Sequence, residues 1–162
     1  GVAERGEALV TRLIEREEQA AQRVRDLQLG DVSAVFWFSS PELKADPYVA
    51  GRKGAPGYIM KQLNVRNVIQ SDEEWPTVGW ETIARANPTV IVIAKMSRRR
   101  FPADDYEKKL EFLRTDPVAS QMEAVVKNRI VILDAHAMDA TIRTVGAIEI
   151  LAERLDGLGL AK

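Results

Sequence analysis

The chain has 162 residues, which is the length of one globular domain and enough to bury a hydrophobic core. Hydrophobic residues make up 46% of it and charged residues 29%, which excludes a disordered or collagen-like chain. The 23 Lys and Arg residues nearly balance the 24 Asp and Glu residues, so the net charge of -1 creates no positive field that would attract nucleic acid. The absence of cysteine and the single histidine exclude disulfides, thiolate metal sites and clusters of histidine ligands. We therefore predict neither a nucleic-acid-binding protein nor a metalloprotein.

The first part of the chain alternates between helical and strand patterns. Over residues 9–27, apolar residues recur at the spacing of one helical face and charged residues occupy the other, which predicts a long amphipathic helix. A short, almost wholly apolar run at 34–38 predicts a strand covered on both faces. Three glycines and three prolines indicate a loop over 39–57, and a short helix over 58–63 and a brief strand over 67–69 follow.

The second part of the chain continues this alternation. Residues 89–94 form the clearest buried strand, and another strand is predicted at 130–133. Helices are predicted at residues 80–86, 104–113, 117–126 and 140–155. Asp116 is suited to cap the third of these helices. Because helices of this length between strands favour parallel pairing through right-handed crossovers, we predict a three-layer α/β/α fold with a mainly parallel sheet, preceded by the long helix.

Candidate binding residues follow the predicted strands. Four cations come directly after the strand at 89–94: Lys95, Arg98, Arg99 and Arg100. Parallel α/β sheets bind ligands at the carboxyl ends of their strands, so these cations are suited to bind carboxylates or other negatively charged groups. A charge run is also typical of a solvated surface, and that interpretation stays open. His136 follows the last strand at the same edge and is a further candidate.

The segment GRKGAPG, residues 51–57, places three glycines and two cations directly before a predicted helix. Backbone amides and cations in such a loop are suited to hold an anionic group, although glycine also serves simple turn geometry. A phosphate-binding loop would favour a small α/β enzyme acting on a phosphorylated metabolite. The sequence has no Gly-x-Ser-x-Gly elbow and no cysteine nucleophile, so we assign no catalytic residue.

Two other residues each admit two interpretations. Trp37, at the end of the first predicted strand, either lines a ligand cleft or fills the core, whereas Phe36 is assigned to the core. Glu81 lies in the first turn of a predicted helix. The helix dipole stabilises a carboxylate there, so helix stability alone can account for a glutamate at this position.

Two segments together resemble one protein family. The sequence VGWETIARANPTVIVI, residues 78–93, is similar to a segment that recurs in each lobe of that family, where a glutamate opens a helix and a proline precedes a strand. The sequence FLRTDPVASQMEAVVKNRIVILD, residues 112–134, is similar to the helix, turn and strand before the family's last helix. On these motifs the chain resembles the periplasmic binding proteins of siderophore, haem and cobalamin ABC importers. It departs from them at Thr89, where the family usually has aspartate.

The resemblance extends from residue 9 to residue 155 and corresponds to the back half of a family member. It implies that residues 1–29 form the interlobe helix and that residues 30–162 form the C-terminal α/β lobe of a two-lobed protein. The N-terminal lobe and the export signal of such a protein are expected to lie outside this sequence. Because that helix spans both lobes in similar proteins, part of its apolar face should be uncovered and favour self-association.

The resemblance also implies a function without chemistry or a cofactor. The chain would belong to a substrate-binding component that captures a metal chelate and delivers it to an ABC permease in the inner membrane. A ferric siderophore is the expected ligand, with haem, cobalamin or an oxyanion as alternatives. The location would be periplasmic, or on the membrane as a lipoprotein. An enzyme, as above, and an assembly domain with an exposed helix as its interface remain the alternatives.

The same resemblance assigns individual residues. In similar proteins the loop before the short helix faces the cleft between the lobes, which implies ligand contacts for Tyr48, Arg52, Lys53 and Tyr58. The glutamate at the motif position of Glu81 is exposed and forms a salt bridge to an arginine of the permease. We therefore expect Glu81 to be exposed and without an intramolecular cation.

Overall fold

The computed structural model describes residues 2–96, 102–135 and 143–160 of the chain. Its helices are α1 (Val2–Leu27), α2 (Ala55–Gln62), α3 (Trp80–Ala86), α4 (Tyr106–Thr115), α5 (Glu123–Val126) and α6 (Arg143–Gly157). Its strands are β1 (Ser33–Ser39), β2 (Tyr48–Val49), β3 (Arg66–Asn67), β4 (Val90–Lys95) and β5 (Ile130–Asp134). Two short 3-10 turns, Pro102–Asp104 and Ala119–Gln121, complete the described elements.

The sheet is built around three parallel strands. β1 pairs with β4, from Ala34 opposite Val90 to Trp37 opposite Ile93, and β4 pairs in turn with β5. On the other edge of β1, the short β3 is also parallel, whereas β2 is antiparallel. The predicted parallel sheet is therefore confirmed, and its antiparallel pair comes from a strand within the predicted loop.

Two hydrophobic clusters cover the two faces of the sheet. α1, α2 and α6 pack on one face, where their apolar residues join Phe36 and Val92. α3, α4 and α5 pack on the other face, where their apolar residues join Val35 and Ile91. Because successive strand residues point to opposite faces, one apolar run supplies both cores. The predicted three-layer fold is confirmed.

The second half of α1 packs on α6. Ala20, Ala21 and Val24 are buried there. The side chains of Leu9, Val10 and Ile14 lie on preceding turns and are 42%, 55% and 50% exposed. The expectation that part of the apolar face is uncovered is therefore confirmed.

Two ion pairs hold α1 against α6. Arg16 donates to Glu149, and Arg23 donates to Asp156 with an Nη2–Oδ2 distance of 2.9 Å. From the first ion pair to the second, the residue number increases in both helices, so α1 and α6 run parallel to each other. Hydrogen bonding to Glu149 and its negative charge raise the pKa of the Arg16 guanidinium.

Several helix boundaries differ from the sequence prediction. α1 begins at Val2 rather than at residue 9, and α2 begins at Ala55 rather than at residue 58. The predicted helix over 117–126 is wrong, because the backbone is extended at Met122 (ψ 138°) and separates a 3-10 turn from α5. Asp116 nevertheless caps the turn, since its carboxylate accepts hydrogen bonds from the amides of Val118 and Ala119.

Candidate functional site

The order of the parallel strands reverses between β1 and β4, and we call the space outside the carboxyl ends of these two strands the crevice. From β1 the chain first moves to β3 on one side and then to β4 on the other, with the parallel order β3-β1-β4-β5. α2 and α3 cover opposite faces along these two connections. Ligands of open α/β sheets bind outside the carboxyl ends of strands at such a reversal. The end of β1 and β4 is therefore the candidate site.

The two strands stop pairing at the floor of this crevice. Their register ends at Trp37 opposite Ile93, whereas β4 continues beside β5 to Lys95 opposite Asp134. The ammonium of Lys109, from α4, lies at this divergence. It donates to the carbonyl oxygens of Phe38 (2.6 Å) and Ala94 (2.9 Å).

Lys109 is completely buried, although it carries a charge at neutral pH. Burial lowers the pKa of its ammonium to about 8, and the nearby negative charge of Asp104 acts in the opposite direction. The ammonium also lies 5.5 Å from the centre of the Trp37 ring, where the π-electrons favour a cation. The two carbonyl oxygens, the ring and Asp104 together keep this lysine charged in the core.

Two buried serines continue this polar cluster. The hydroxyl of Ser39 donates to the carboxylate of Asp104 at 2.5 Å, and both residues are buried. The hydroxyl of Ser40 accepts a hydrogen bond of 3.0 Å from the indole nitrogen of Trp37. The loop that follows β1 is thus fixed to the 3-10 turn that precedes α4.

The structure corrects the prediction that Trp37 lines a ligand cleft. Its side chain has no exposed surface and makes edge-to-face contacts with Trp80 and Phe112, at centroid distances of 4.6 and 5.9 Å. Trp37 and Phe36 are both core residues, on opposite faces of the sheet. Because their strand is covered on both faces, alternate side chains enter different cores.

The cations predicted at this edge fall partly within the described residues. Lys95 ends β4 and is exposed, with its Nζ 5.3 Å from the centre of the Tyr106 ring. Arg98, Arg99, Arg100 and His136 lie outside the described residues. Tyr48 pairs with Ser39 across β1 and β2 and is partly exposed near the same edge.

The glycines of the 51–57 loop serve close backbone packing. A Cβ atom on Gly51 would lie 1.8 Å from the carbonyl oxygen of Glu73, and one on Gly57 would lie 2.2 Å from the carbonyl oxygen of Arg52. Gly54 has a φ of 96° and directly precedes α2. These contacts explain the three glycines without a bound anion.

Two acidic side chains, Asp72 and Glu74, lie close to this loop. Arg52 is 3.5 Å from a carboxylate oxygen of Asp72, and Lys53 is exposed. The carboxylate of Glu74 lies against Gly54 at the start of α2. Because this carboxylate already occupies the positive end of the helix, the loop is not suited to cradle a phosphate.

Arg52 and Tyr58 lie away from the crevice. Arg52 lines a shallow cavity of about 500 Å³ beside β3, together with Asp31 and Arg66, which precede or border the amino end of β1. The hydroxyl of Tyr58 donates to Glu17 of α1 at 2.6 Å. This hydrogen bond and partial burial raise the pKa of Tyr58 to about 12. Of the predicted ligand residues within the described ranges, Lys95 and Tyr48 lie at the carboxyl ends of β4 and β1.

Glu81 fits the geometry expected of a docking residue. It lies in the first turn of α3 and is exposed. Across residues 2–96, 102–135 and 143–160, no cation forms an ion pair with it. α3 leads into the amino end of β4 and therefore runs against it, which brings Glu81 to the same edge of the sheet as the crevice.

Sequence reasoning missed Lys109, Asp104 and Ser39. One signal was present, because Lys109 lies on the apolar face of its helix, three residues after Tyr106 and four before Leu113. A lysine in such a position requires buried acceptors, which only the three-dimensional structure identifies. The short polar side chains of Asp104 and Ser39 carry no comparable signal.

The described residues were also compared with the requirements of a metal site and of a membrane-spanning helix. Within the part of the chain that the structure describes, no group of three or more His, Asp or Glu side chains could hold a metal ion. Among the described helices, none is both long and apolar enough to cross a membrane.

Solved structures share this fold. A periplasmic binding protein from Veillonella parvula DSM 2008 superposes with a TM-score of 0.79 at 23% identity, covering 93% of this chain and 50% of its own. A protein of an ABC-type Fe3+-hydroxamate transport system from Saccharomonospora viridis DSM 43017 gives 0.75 at 19% identity, covering 94% and 49%. The periplasmic heme-binding protein RhuT from Roseiflexus sp. RS-1 gives 0.77 at 19% identity, covering 98% and 58%. The chain thus spans about half the length of the structures it matches.

Comparison of sequences gives the family. No curated protein matches the chain. The family model described as periplasmic binding protein matches residues 1–137, which includes α1, the whole sheet and the residues around the crevice. A match over most of the chain agrees with the strand order and the long first helix. The chain therefore belongs to the periplasmic binding protein family.

Proposed function

We propose that this chain is the C-terminal half of a two-lobed substrate-binding component of an ABC importer for a metal chelate. In this proposal residues 1–29 are the interlobe helix and residues 30–162 are the C-terminal lobe. The family match over residues 1–137 carries the proposal. The half-length coverage of the solved structures supports the two-lobed arrangement.

The proposed ligand is a ferric siderophore, with haem and cobalamin as alternatives. The crevice between β1 and β4 opens at the edge where Lys95 ends its strand, and in the sequence Arg98, Arg99 and Arg100 follow. Cations at this edge favour a chelate with carboxylates or a net negative charge. One matched protein belongs to an ABC-type Fe3+-hydroxamate transport system and another is a periplasmic heme-binding protein, which supports the same class of ligand here.

The proposed partner is a membrane permease that pairs a cation with Glu81. The carboxylate is exposed and has no intramolecular cation among the described residues, so an intermolecular pair would not compete with one inside the chain. Delivery to a permease requires an extracytoplasmic location, either free in the periplasm or attached to the membrane as a lipoprotein.

Titration of the two-lobed receptor tests the ligand. Ferrioxamine B and haem are added separately, and binding is followed by tryptophan fluorescence and, for haem, by the absorption spectrum. We expect one of the two to saturate the receptor, with the iron-free hydroxamate as the control that does not. If neither chelate nor cobalamin saturates it, the proposed function is wrong.

A further inference from the structure

The divergence of β1 and β4 is held by one side chain from a third element. Lys109 belongs to α4, and its Nζ lies 2.6 Å from the oxygen of Phe38 and 2.9 Å from the oxygen of Ala94. Phe38 is next to the end of β1, and Ala94 is next to the end of β4. The ammonium therefore joins the two strands at the point where their own pairing has ended.

A charge at this position is costly, because it is removed from water completely. An apolar side chain would fill the same core without that cost. What the ammonium adds is directional, since its N–H groups must point at two fixed main-chain oxygens. It thereby fixes the distance between the last residues of the two strands.

A second contact joins the end of β1 to the 3-10 turn that precedes α4. Ser39, directly after Phe38, donates to Asp104, which ends the 3-10 turn Pro102–Asp104. Asp104 also acts on Lys109 electrostatically. The ends of β1 and β4 and the 3-10 turn before α4 are thus joined through one polar cluster, defined by Ser39, Asp104 and Lys109.

We propose that Lys109 is a positioning residue for ligand binding in this lobe. It does not contact the ligand, because it is buried beneath the crevice. It sets the spacing between the loop that starts at Ser40 and Lys95 at the end of β4, and so determines how these residues are placed to meet a chelate. This inference rests on the proposed function.

The first test compares Lys109→Met with Lys108→Met in the two-lobed receptor. Methionine keeps the length of the side chain and removes the ammonium, and Lys108 is the adjacent, exposed lysine. For whichever of ferrioxamine B and haem saturates the wild type, we expect Lys109→Met to bind about tenfold more weakly and Lys108→Met to bind normally. Hydrogen exchange of amides 40–46 should also be faster in Lys109→Met only.

The outcomes separate this inference from the proposed function. If the wild type binds neither chelate, the proposed function fails and the inference falls with it. If the wild type binds and a folded Lys109→Met binds equally well, the inference alone is wrong. A changed unfolding midpoint with unchanged affinity would show that Lys109 is merely structural.

A second measurement uses the wild type and does not depend on a variant that folds. The lysine side chains are labelled with carbon-13 at Cε, and the receptor is saturated with gallium(III) desferrioxamine B or zinc protoporphyrin IX, which are diamagnetic. We expect the Cε signal of Lys109 to shift on saturation and that of Lys108 to stay. An unchanged Lys109 signal at saturation would overturn the inference.

Discussion

At the scale of single residues, Lys109 shows how a buried charge is kept in an apolar core. Its stem lies among Trp37 and the ends of two strands, and its ammonium has main-chain oxygens on two sides. Such a residue stabilises the fold less than its hydrogen bonds suggest, because desolvation opposes them. The pKa of Lys109 makes the balance between desolvation and hydrogen bonding measurable.

We predict that the free energy of unfolding rises with pH between about 8 and 10.5 because of Lys109. Its pKa is about 8 in the folded chain and 10.5 in the unfolded chain, so the unfolded chain binds more protons in this range. The increase should approach about 3 kcal/mol for this residue alone. Urea unfolding at a series of pH values measures it, with Lys108→Met behaving as the wild type.

Lys109→Met should lose this dependence and be flatter than the wild type in the same range. Tyr58 acts in the opposite sense above pH 10, since its raised pKa of about 12 means that the folded chain binds more protons there. The difference between wild type and variant removes this contribution. Equal slopes for both proteins would contradict the assignment to Lys109.

We predict that Glu81→Lys leaves folding nearly unchanged but weakens association with the permease. An exposed first-turn carboxylate contributes only about 0.3 to 1 kcal/mol through the helix dipole. Glu107→Lys is the matched control, because Glu107 is an exposed acid in the first turn of α4. Thermal unfolding and ligand affinity of the receptor, followed by permease binding and uptake, distinguish the two variants.

Only Glu81→Lys should reduce permease binding and uptake, and ligand affinity should stay as in the wild type for both. If Glu81→Lys unfolds the chain, or if uptake is indifferent to it, then Glu81 is a structural residue.

At the scale of elements, the 51–57 loop is held by backbone contacts with the segment that precedes α3. The amide of Gly51 donates to the carbonyl of Glu74, and the amide of Arg52 donates to the carbonyl of Ser71. These bonds bring main chain so close to main chain that no side chain fits between. The loop thus fixes the position of α2 relative to the sheet.

We predict that Gly51→Ala costs more than about 2 kcal/mol of stability or prevents folding, because its Cβ would overlap the carbonyl oxygen of Glu73. Gly6→Ala is the control. Gly6 lies in α1 with no atom near its would-be Cβ, so alanine there should keep or raise stability by up to about 1 kcal/mol. Chemical denaturation of both variants measures the difference, and equal stabilities would refute the packing argument.

Strong local patterns predicted most elements but not every boundary. The apolar run that precedes Lys95, together with the proline in front of that run, predicted β4. α3 was predicted from Trp80 to Ala86, as observed. The helix predicted after Asp116 is interrupted at Met122, although Asp116 was correctly assigned as a cap. Met122 is buried in the core of its face, and this long-range packing decides the local backbone.

At the scale of the whole molecule, the order of strands located the candidate site better than any single motif did. Sequence alone indicated the carboxyl ends of the strands, which led to Lys95. It could not show that Tyr58 turns toward Glu17 or that Trp37 is enclosed, because both depend on residues distant in sequence. Non-local contacts of this kind leave no local pattern.

We predict that the isolated chain self-associates through the exposed stripe of α1, defined by Leu9, Val10 and Ile14. These side chains continue the face that is buried further along the helix, so a second copy could cover them. Sedimentation at increasing concentration should show dimers for the wild type and monomers for a Val10→Glu, Ile14→Glu double variant. Val126→Glu, at a valine 71% exposed on α5, should still dimerise.

A monomeric wild type at every concentration would contradict the prediction of self-association. Dimers that persist in the double variant would show that another surface is responsible.

The pairing of α1 with α6 has a consequence for synthesis of the chain. Both ion pairs between these helices join residues 133 positions apart in the sequence. α1 is therefore synthesised well before α6, on which its buried residues pack. Contacts of such separation form late in folding, since the loop between them must be closed first. α1 is thus translated before α6 and docks on it late, and a nascent chain that stops before α6 would leave apolar residues of α1 exposed to chaperones and proteases.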